Sequence, residues 1–493
     1  MRGSPAMDGG KYMRSRIAQR LANILDDAAG PPPSPAGTLK AAFAAEPETK
    51  RAPAPIRVPS GFGGRDYLSM LLHVAAEIEH ALLVQYLFAA YSLGGPQVPE
   101  EHRSKVQEWQ TILLGIAKEE MAHFVTVQNV LLLIGAPLNL EREDFPWDLD
   151  FAPFEFSLEK LTPASLARYV YVESPKKWPA DAAGDQRAIT DLASQGQPRR
   201  PKRVGELYAA MIALIEDTTL IPESAFQAST MAYQASWDEW GRGYRDGARG
   251  SSDSQTTTPD LLIGKAYSRA SAADALRTVA EQGEAPDIVA DIGEKSHFRR
   301  FYEIWKQFPK EGEWSPVRDL ARNPTTVEGL ENQTYIADPQ ARRWAHLLNL
   351  RYRILLTCLG HSFRLSGQGE GDPDSAARGL VLHATFGEMY NLRVLSNFLV
   401  RMPVKGKAGA LAGPTFEMPY TLQLPSRRSD LWRLQVELID ASDSLIAKLR
   451  RQADSEERAY LDTLAAIDAR RRSAMDEMIA SSGGRRTRMG GWA

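Results

Sequence analysis

The chain has 493 residues, of which 43% are hydrophobic and 25% are charged, so it is long enough for two to three domains with sizeable cores. Its formal net charge of −3 provides no basic excess for nucleic-acid binding, so we expect no nucleic-acid partner. Cys358 is the single cysteine, which excludes an intrachain disulfide and a thiolate metal cluster. It lies in an apolar run and is predicted to be a core residue.

Residues 1–58 do not have the pattern of a core segment. A short amphipathic helix is predicted over 12–27, and the following stretch is rich in Pro and Ala, so we expect a flexible N-terminal segment. No signal peptide is visible, and no apolar run approaches the roughly 20 residues of a membrane span. We therefore expect a cytoplasmic protein with no membrane partner.

Residues 66–93 are apolar on almost every side, which predicts a helix at the centre of the fold. Two acids, Glu77 and Glu79, interrupt this helix, and both lie on faces that are otherwise apolar. Helical periodicity therefore does not choose between them. The Gly94-Gly95-Pro96 sequence predicts the end of the helix.

A second long helix is predicted over residues 101–134, and it places Glu120 and His123 in one apolar stripe. Burying a polar group without a partner costs roughly 2–7 kcal/mol, and burying a charge costs more. Glu-x-x-His is the spacing with which helix bundles hold iron or manganese. A buried pair satisfied by other side chains is the alternative interpretation.

Residues 204–217 predict a third helix, with Glu206 on a face of small alanines. Glu206 is either a ligand or an acid placed favourably in the first helical turn. Residues 271–284 predict a fourth helix, which Gln282-Gly283 is expected to break. A further helix over 288–305 would repeat the Glu-x-x-His spacing with Glu294 and His297. The last carboxylate is then Glu281, Glu284 or Glu294.

Helical periodicity continues over 343–365, 376–401 and 429–479, and no strand-rich segment is evident. We predict a mainly α protein with three parts: the N-terminal segment 1–58, a ferritin-like four-helix bundle over 59–310, and an additional C-terminal helical region over 311–493. The order of acids and Glu-x-x-His motifs is typical of dinuclear carboxylate bundles. Carboxylates neutralise two hard ions, and neutral imidazoles complete the coordination.

The same segments resemble the ferritin-like domain of the iminophenylpyruvate dimer synthases of violacein- and rebeccamycin-type pathways. The resemblance covers about residues 60–310, although Lys295 stands where that family usually has an acid. It implies redox chemistry on an amino-acid-derived substrate, and it selects Glu79 on the first helix. The motifs that carry it are Glu77-Ile-Glu-His, Glu119-Glu-Met-Ala-His, Gly205-Glu-Leu-Tyr, Glu281-Gln-Gly-Glu and Ser296-His-Phe-Arg-Arg-Phe.

Spacing and resemblance together predict a site for two iron ions, or manganese, with O2 as co-substrate. The expected ligands are Glu79, Glu120, His123, Glu206, Glu281, Glu294 and His297. The predicted function is a non-haem di-iron oxidase or oxygenase that acts on an amino-acid-derived amine or imine in secondary metabolism. The partners are a small-molecule substrate and a second copy in a homodimer. The alternatives are an iron-oxidising protein without an organic substrate and a non-catalytic scaffold subunit.

Several further residues are weaker candidates. Histidines and tyrosines near the proposed ligands are either supporting groups or core residues, and a second site in the C-terminal region lacks a paired motif. These residues are His73, His80, Tyr86, Tyr208, His361, His383 and Glu388.

Overall fold

A computed structural model gives the fold of the chain. It describes residues 58–142, 153–197, 199–240, 261, 263–289, 294–310, 312–367, 374–406, 409–419 and 421–482. The N-terminal segment predicted over 1–58, including its helix, lies outside this part of the chain except for its last residue.

The described chain is mainly helical, as predicted. The helices are α1 (Gly64–Ser92), α2 (Arg103–Leu133), α3 (Pro163–Val172), α4 (Gln186–Ala193), α5 (Val204–Glu216), α6 (Trp237–Trp240), α7 (Arg269–Glu284), α8 (His297–Gln307), α9 (Pro339–Ser362), α10 (Ser375–Leu399), α11 (Arg428–Leu449) and α12 (Ser455–Ser482). Strands β1 (Ile288–Val289) and β2 (Glu294–Lys295) pair antiparallel, and β3 (Pro324–Thr325) and β4 (Thr334–Tyr335) pair parallel.

Four helices of the N-terminal half form a closed ring, in which α1 packs on α2, α2 on α7, α7 on α5 and α5 on α1. Helices α3 and α8 pack against each other, and α8 also packs on α2 and α7. By length and hydropathy, α1 would suit a membrane span, but most of it is buried inside the bundle. It is therefore the central core helix that its all-round apolar pattern predicts.

Local capping groups set where the helices of the bundle begin. Ser268 accepts a hydrogen bond from the Ser271 N–H in a reciprocal capping box that starts α7. Ser296 accepts a hydrogen bond from the Arg299 N–H and starts α8. Helix α2 ends before Gly135, whose φ of +64° suits a residue without a side chain.

The helix predicted over 288–305 is wrong in its first half. Residues 288–289 and 294–295 form the β1–β2 pair, in which Val289 lies opposite Glu294. Ser296 is extended and caps α8, so the helix begins only at His297. Glu294 and His297 consequently do not share a helical face, and the second Glu-x-x-His is a coincidence of spacing.

The C-terminal region holds four further helices, in which α9 packs on α10 and α11, and α12 packs on α11. The predicted helix over 429–479 is two helices, because Asp454 and Glu457 exchange backbone and side-chain hydrogen bonds and start a new one. The apolar core is continuous between the two bundles, and the Tyr352 hydroxyl of α9 contacts His80 Nε2 on α1.

Candidate metal centre

Acidic and imidazole side chains from four helices meet inside the first bundle. Glu79 lies on α1, Glu120 and His123 lie on α2, and His297 is the first residue of α8. Glu173, at the C-terminal cap of α3, completes the group. All five are buried, with exposures of 5% or less, so each must be neutralised or paired by its neighbours.

His123 directs one ring nitrogen into the cluster and the other away from it. Nε2 lies 2.9 Å from Gln282 Oε1, which can only accept, so Nε2–H is the donor. Nδ1 then carries the lone pair of the neutral ring. It lies 3.3 Å from Glu120 Oε2 and 3.5 Å from Glu79 Oε2.

His297 has the same arrangement on the opposite side of the cluster. Its Nε2–H donates to Glu119 Oε2 across 2.7 Å, and Arg300 pairs with that same carboxylate. Its Nδ1 lies 2.8 Å from Glu120 Oε1 and 3.8 Å from Glu173 Oε2. A carboxylate that holds the outer nitrogen of a histidine is typical of metal-ligating imidazoles.

Two buried tyrosines orient carboxylates of the cluster. The Tyr86 hydroxyl donates to Glu173 Oε1 across 2.5 Å, and the Tyr208 hydroxyl donates to Glu79 Oε1 across 2.6 Å. Burial raises the pKa of both phenols, and the adjacent carboxylates Glu173 and Glu79 raise it further. Both phenols therefore remain protonated donors at physiological pH.

The crowded acids perturb one another. Burial raises the pKa of Glu120 well above its usual range; His297 opposes this shift, and Glu173 and Glu79 reinforce it. Burial acts to raise the pKa of Glu79 as well, but contacts with His123 and Glu120 outweigh it and lower the pKa. The same crowding therefore shifts the pKa values of these two acids in opposite directions.

The imidazoles respond to the same negative charge. Burial alone would lower the pKa of His297, but Glu120 and Glu119 raise it to about 10. The pKa of His123 is also raised, because Glu79 outweighs the effect of burial. For Glu119, burial is outweighed by Arg300 and His297, which lower its pKa to about 2. Protons thus supply the positive charge that the metal-free cluster needs.

Glu284, the last residue of α7, separates this cluster from an outer cleft. Its side chain is half-buried and lines both spaces, as do Gly205 and Ala280. A β-carbon on Gly205 would lie only 2.0–2.3 Å from the Glu284 carboxyl atoms, so glycine leaves the room that the carboxyl group occupies. Burial and the charge of Glu173 raise the pKa of Glu284 to about 7.

Four of the predicted ligands, Glu79, Glu120, His123 and His297, are brought together. The other three are not. Glu206 is exposed and pairs with Arg203, because it lies one residue beyond Gly205 and so about 100° around α5. Glu281 is exposed on the outer-cleft side of α7, and Glu294 is on β2.

The sequence interpretation missed Glu173. Its one signal is an acid directly after the apolar run Tyr169-Val-Tyr-Val172, at the end of α3. Glu284, an open alternative from the sequence, is the α7 acid that lines the inner cavity. Glu119 and Gln282 also went unassigned, although each lies next to a motif residue.

The weaker candidates have structural partners. His73 Nε2 donates to the Pro137 carbonyl, and Gln435 donates to the buried His361. Buried Glu388 pairs with Arg351 and Arg471, and His383 is exposed. Cys358 is buried, as predicted.

The donor set fits two divalent cations. Among the described residues, four carboxyl groups and His123 line an inner cavity in which only about 20 Å³ is open to water, a space of ionic size. Glu79 Oε2 is buried there without a hydrogen-bond partner in the described chain, and Glu120 Oε1 and His297 Nδ1 face each other across 2.8 Å. Glu120, His123 and His297 can present donor atoms within 4.8 Å of one another. Four carboxylates and two neutral imidazoles would balance the charge of two divalent ions.

Comparison with known proteins finds similarity over much of the chain. Residues 72–306 match the Ferritin-like family model. The chain is 29% identical over 409 residues to dichlorochromopyrrolate synthase of Lentzea aerocolonigenes, covering 76% of this chain and 37% of that protein. It is 25% identical over 405 residues to 2-imino-3-(indol-3-yl)propanoate dimerase of Chromobacterium violaceum. This match covers 75% of this chain and 35% of that protein.

The chain thus spans little more than a third of the length of these curated relatives. A looser likeness is to the crystal structure of a ferritin-like protein from Caulobacter vibrioides, with 17% identity, a TM-score of 0.36, and coverage of 66% of this chain and 94% of that one. Residues 72–306 thus match the ferritin-like family model, and the predicted resemblance to the iminophenylpyruvate dimer synthases of violacein- and rebeccamycin-type pathways is confirmed.

Proposed function

We propose that this protein is a non-haem di-iron oxidase or oxygenase of secondary metabolism. It uses O2 and acts on an amino-acid-derived amine or imine, including by oxidative coupling. One observation carries the proposal: His123 and His297 both direct Nδ1 toward buried carboxylates while Gln282 and Glu119 hold their outer nitrogens. That is the orientation in which a histidine ligates a metal.

Glu79, Glu120, Glu173, Glu284, His123 and His297 would hold the two ions. Bound iron would supply oxidising equivalents from O2, and manganese suits the same oxygen and nitrogen donors. Glu119 and Arg300 keep His297 in the tautomer that leaves Nδ1 free. Tyr86 and Tyr208 hold the outer oxygens of Glu173 and Glu79, so the opposite oxygens are directed at the cations.

Two observations support this substrate class: the printed name of a relative and the volume of the outer cleft. The name of the Chromobacterium relative states that it dimerises 2-imino-3-(indol-3-yl)propanoate, an imine with a carboxylate and an aromatic group. The inner cavity is too small for such a molecule, but about 460 Å³ of the adjoining outer cleft is open to water. We therefore place the organic substrate in the cleft, outside Glu284. A cytoplasmic location and a homodimer remain predictions.

Metal analysis of the full chain tests the proposal. The protein purified after anaerobic loading with ferrous iron should hold about two ions per chain. His123→Ala should lose this binding, whereas His383→Ala, an exposed histidine on α10, should retain it. Absence of iron after both aerobic and anaerobic loading would contradict the proposal.

A second measurement separates an oxidase from an iron-oxidising protein. The loaded protein is supplied with amino acids and an amino-acid oxidase, which generates imines in place. O2 consumption beyond that of the oxidase, together with a new coupled or oxidised product, is the expected result. O2 consumption that depends on ferrous iron alone would show that no organic substrate is used.

A further inference from the structure

The outer cleft adjoins the metal cluster and has a distinct lining. It shares Gly205, Ala280 and Glu284 with the inner cavity, so a molecule in the cleft would lie against the outer side of the cluster. The whole volume of the cleft, including its solvent-filled mouth, is about 950 Å³, which suits a small organic molecule. The apolar part of the lining consists of Ala209, Ile212, Ala280, Ala285, Pro286 and Val289.

The polar groups of the cleft differ between its two sides. Lys176, in the segment after α3, is exposed and makes no ion pair or hydrogen bond with another residue of the described chain. On α7, the guanidinium of Arg277 is already paired with Glu216 and Asp274. Glu281 and Glu284 follow it at one-turn and two-turn spacing. One side of the cleft therefore offers an available cation and the other offers carboxyl groups.

We propose that this cleft binds a zwitterionic amino-acid derivative, with the ligand carboxylate at Lys176 and its nitrogen at Glu281. The inference deepens the proposed function and rests on it for the identity of the substrate. An apolar side chain fills the Ala209–Ile212–Val289 wall, and the nitrogen-bearing carbon faces Glu284 and the cluster. Glu281, predicted from the sequence to be a metal ligand, is in this arrangement a positioning residue for the substrate.

The charge pattern favours this orientation over the reverse one. A carboxylate on the α7 side would face Glu281 and Glu284, and like charges repel. A carboxylate at Lys176 meets an unpaired ammonium group. Since Glu284 also lines the inner cavity, the same pattern brings the oxidisable nitrogen end toward the metal.

Three probes of one shape separate the two contacts. Phenylalanine carries both charges, 3-phenylpropionate carries only the carboxylate, and 2-phenylethylamine carries only the ammonium group. Their dissociation constants are measured by ligand-observed NMR titration on the full chain. The titrations are made with and without Zn²⁺, which is redox-inert and prevents turnover.

Lys176→Gln should weaken the binding of phenylalanine and 3-phenylpropionate by about two- to fivefold, the effect expected of an exposed ion pair. It should leave the binding of 2-phenylethylamine unchanged. Glu281→Gln should weaken phenylalanine and 2-phenylethylamine by a similar factor and leave 3-phenylpropionate unchanged. Lys177→Gln is the matched control, because this exposed lysine adjoins Lys176 but does not line the cleft. It should change none of the three constants.

Other patterns would overturn the inference. Equal effects of Lys176→Gln and Lys177→Gln would show a general field rather than a contact, and a carboxylate effect confined to Arg277→Gln would assign the anion to α7. If no substitution changed the dissociation constant of any probe, the proposed binding site would be excluded. Failure to bind iron would instead overturn the proposed function and leave these affinities in place, since neither Lys176 nor Glu281 is a proposed metal ligand.

Discussion

Glu119 Oε2 accepts a hydrogen bond from His297 Nε2 across 2.7 Å, with both side chains fully buried. Glu119 adjoins the predicted ligand Glu120 in the sequence but points the other way around α2, toward Arg300. The contact determines which nitrogen of His297 faces the cluster. One residue of α2 therefore lines the site while its neighbour supports a ligand from α8.

Glu119→Gln should weaken metal binding by about 10- to 100-fold, because an amide can present its NH2 group to His297 and leaves Arg300 without a carboxylate. Competition with a chelator for Zn²⁺ or Fe²⁺ measures this affinity. Glu303→Gln, which removes a partly exposed acid of α8 that pairs with Lys295, is the control and should leave the affinity unchanged. Equal affinity of Glu119→Gln and the unaltered protein would contradict the supporting role.

Glu173→Gln should weaken metal binding, whereas Glu206→Gln should not, although the sequence predicted Glu206 and not Glu173 to be a ligand. Glu173 lies in the cluster, so losing its charge should lower metal affinity by about tenfold or more. Glu206 is exposed on α5, so its substitution should leave the bound metal at two ions per chain. Metal titration of both variants decides the assignment, and a loss confined to Glu206→Gln would reverse it.

Tyr208→Phe should destabilise the metal-free protein by about 1–3 kcal/mol, because Glu79 Oε1 would remain buried without its donor. Urea unfolding of the metal-free variant measures the change in the free energy of unfolding. Tyr267→Phe removes a hydroxyl from a side chain that is 56% exposed and should have little effect. If the two variants were equally stable, the Tyr208–Glu79 bond would contribute nothing to the fold.

His361 should make the C-terminal bundle sensitive to acid. Burial lowers its pKa to about 3, with further lowering by Arg428 and Arg364, so the ring is neutral in the folded state at pH values where the unfolded chain takes up a proton. Protonation of His361 therefore does not affect the free energy of unfolding above about pH 6.5. As the pH falls from there toward 3, the free energy of unfolding decreases by about 1.4 kcal/mol per pH unit.

His361→Asn keeps an acceptor for Gln435 but cannot be protonated in this range. Between about pH 4 and 6, the slope of the unfolding free energy against pH should be smaller in this variant. The decrease should correspond to one bound proton, about 1.4 kcal/mol per pH unit. His383→Asn, at an exposed position, should keep the original slope. An unchanged slope in His361→Asn would show that other groups account for the acid sensitivity.

The helices α1, α2, α5 and α7 and the inward position of Glu120 and His123 could be predicted from the sequence, because these depend on local patterns. Glu79 and His297 were assigned through the family resemblance, since periodicity did not select the first and the helix expected around the second is wrong in its first half. An all-round apolar stretch can be stable only as a core helix, and a Glu and His one turn apart in an apolar stripe must share a buried face. The last carboxylates could not be assigned in this way. Whether Glu206 or Tyr208 faces inward depends on the rotation of α5 about its axis, which packing against α1 and α7 decides.

The sequence by itself therefore determined the helices of the bundle and the buried Glu120–His123 pair, since helical periodicity places these residues within single elements. Only the tertiary structure decided that Glu173 joins them, that Glu294 does not, and that Glu281 faces the outer cleft. Glu173 ends a short helix, and Glu294 lies on a strand that ends where Ser296 caps α8. Contacts with Tyr86 and His297, which lie far away in the chain, fix Glu173, and no local spacing records such contacts. Glu294 is fixed by the pairing of β1 with β2, which helical periodicity does not detect.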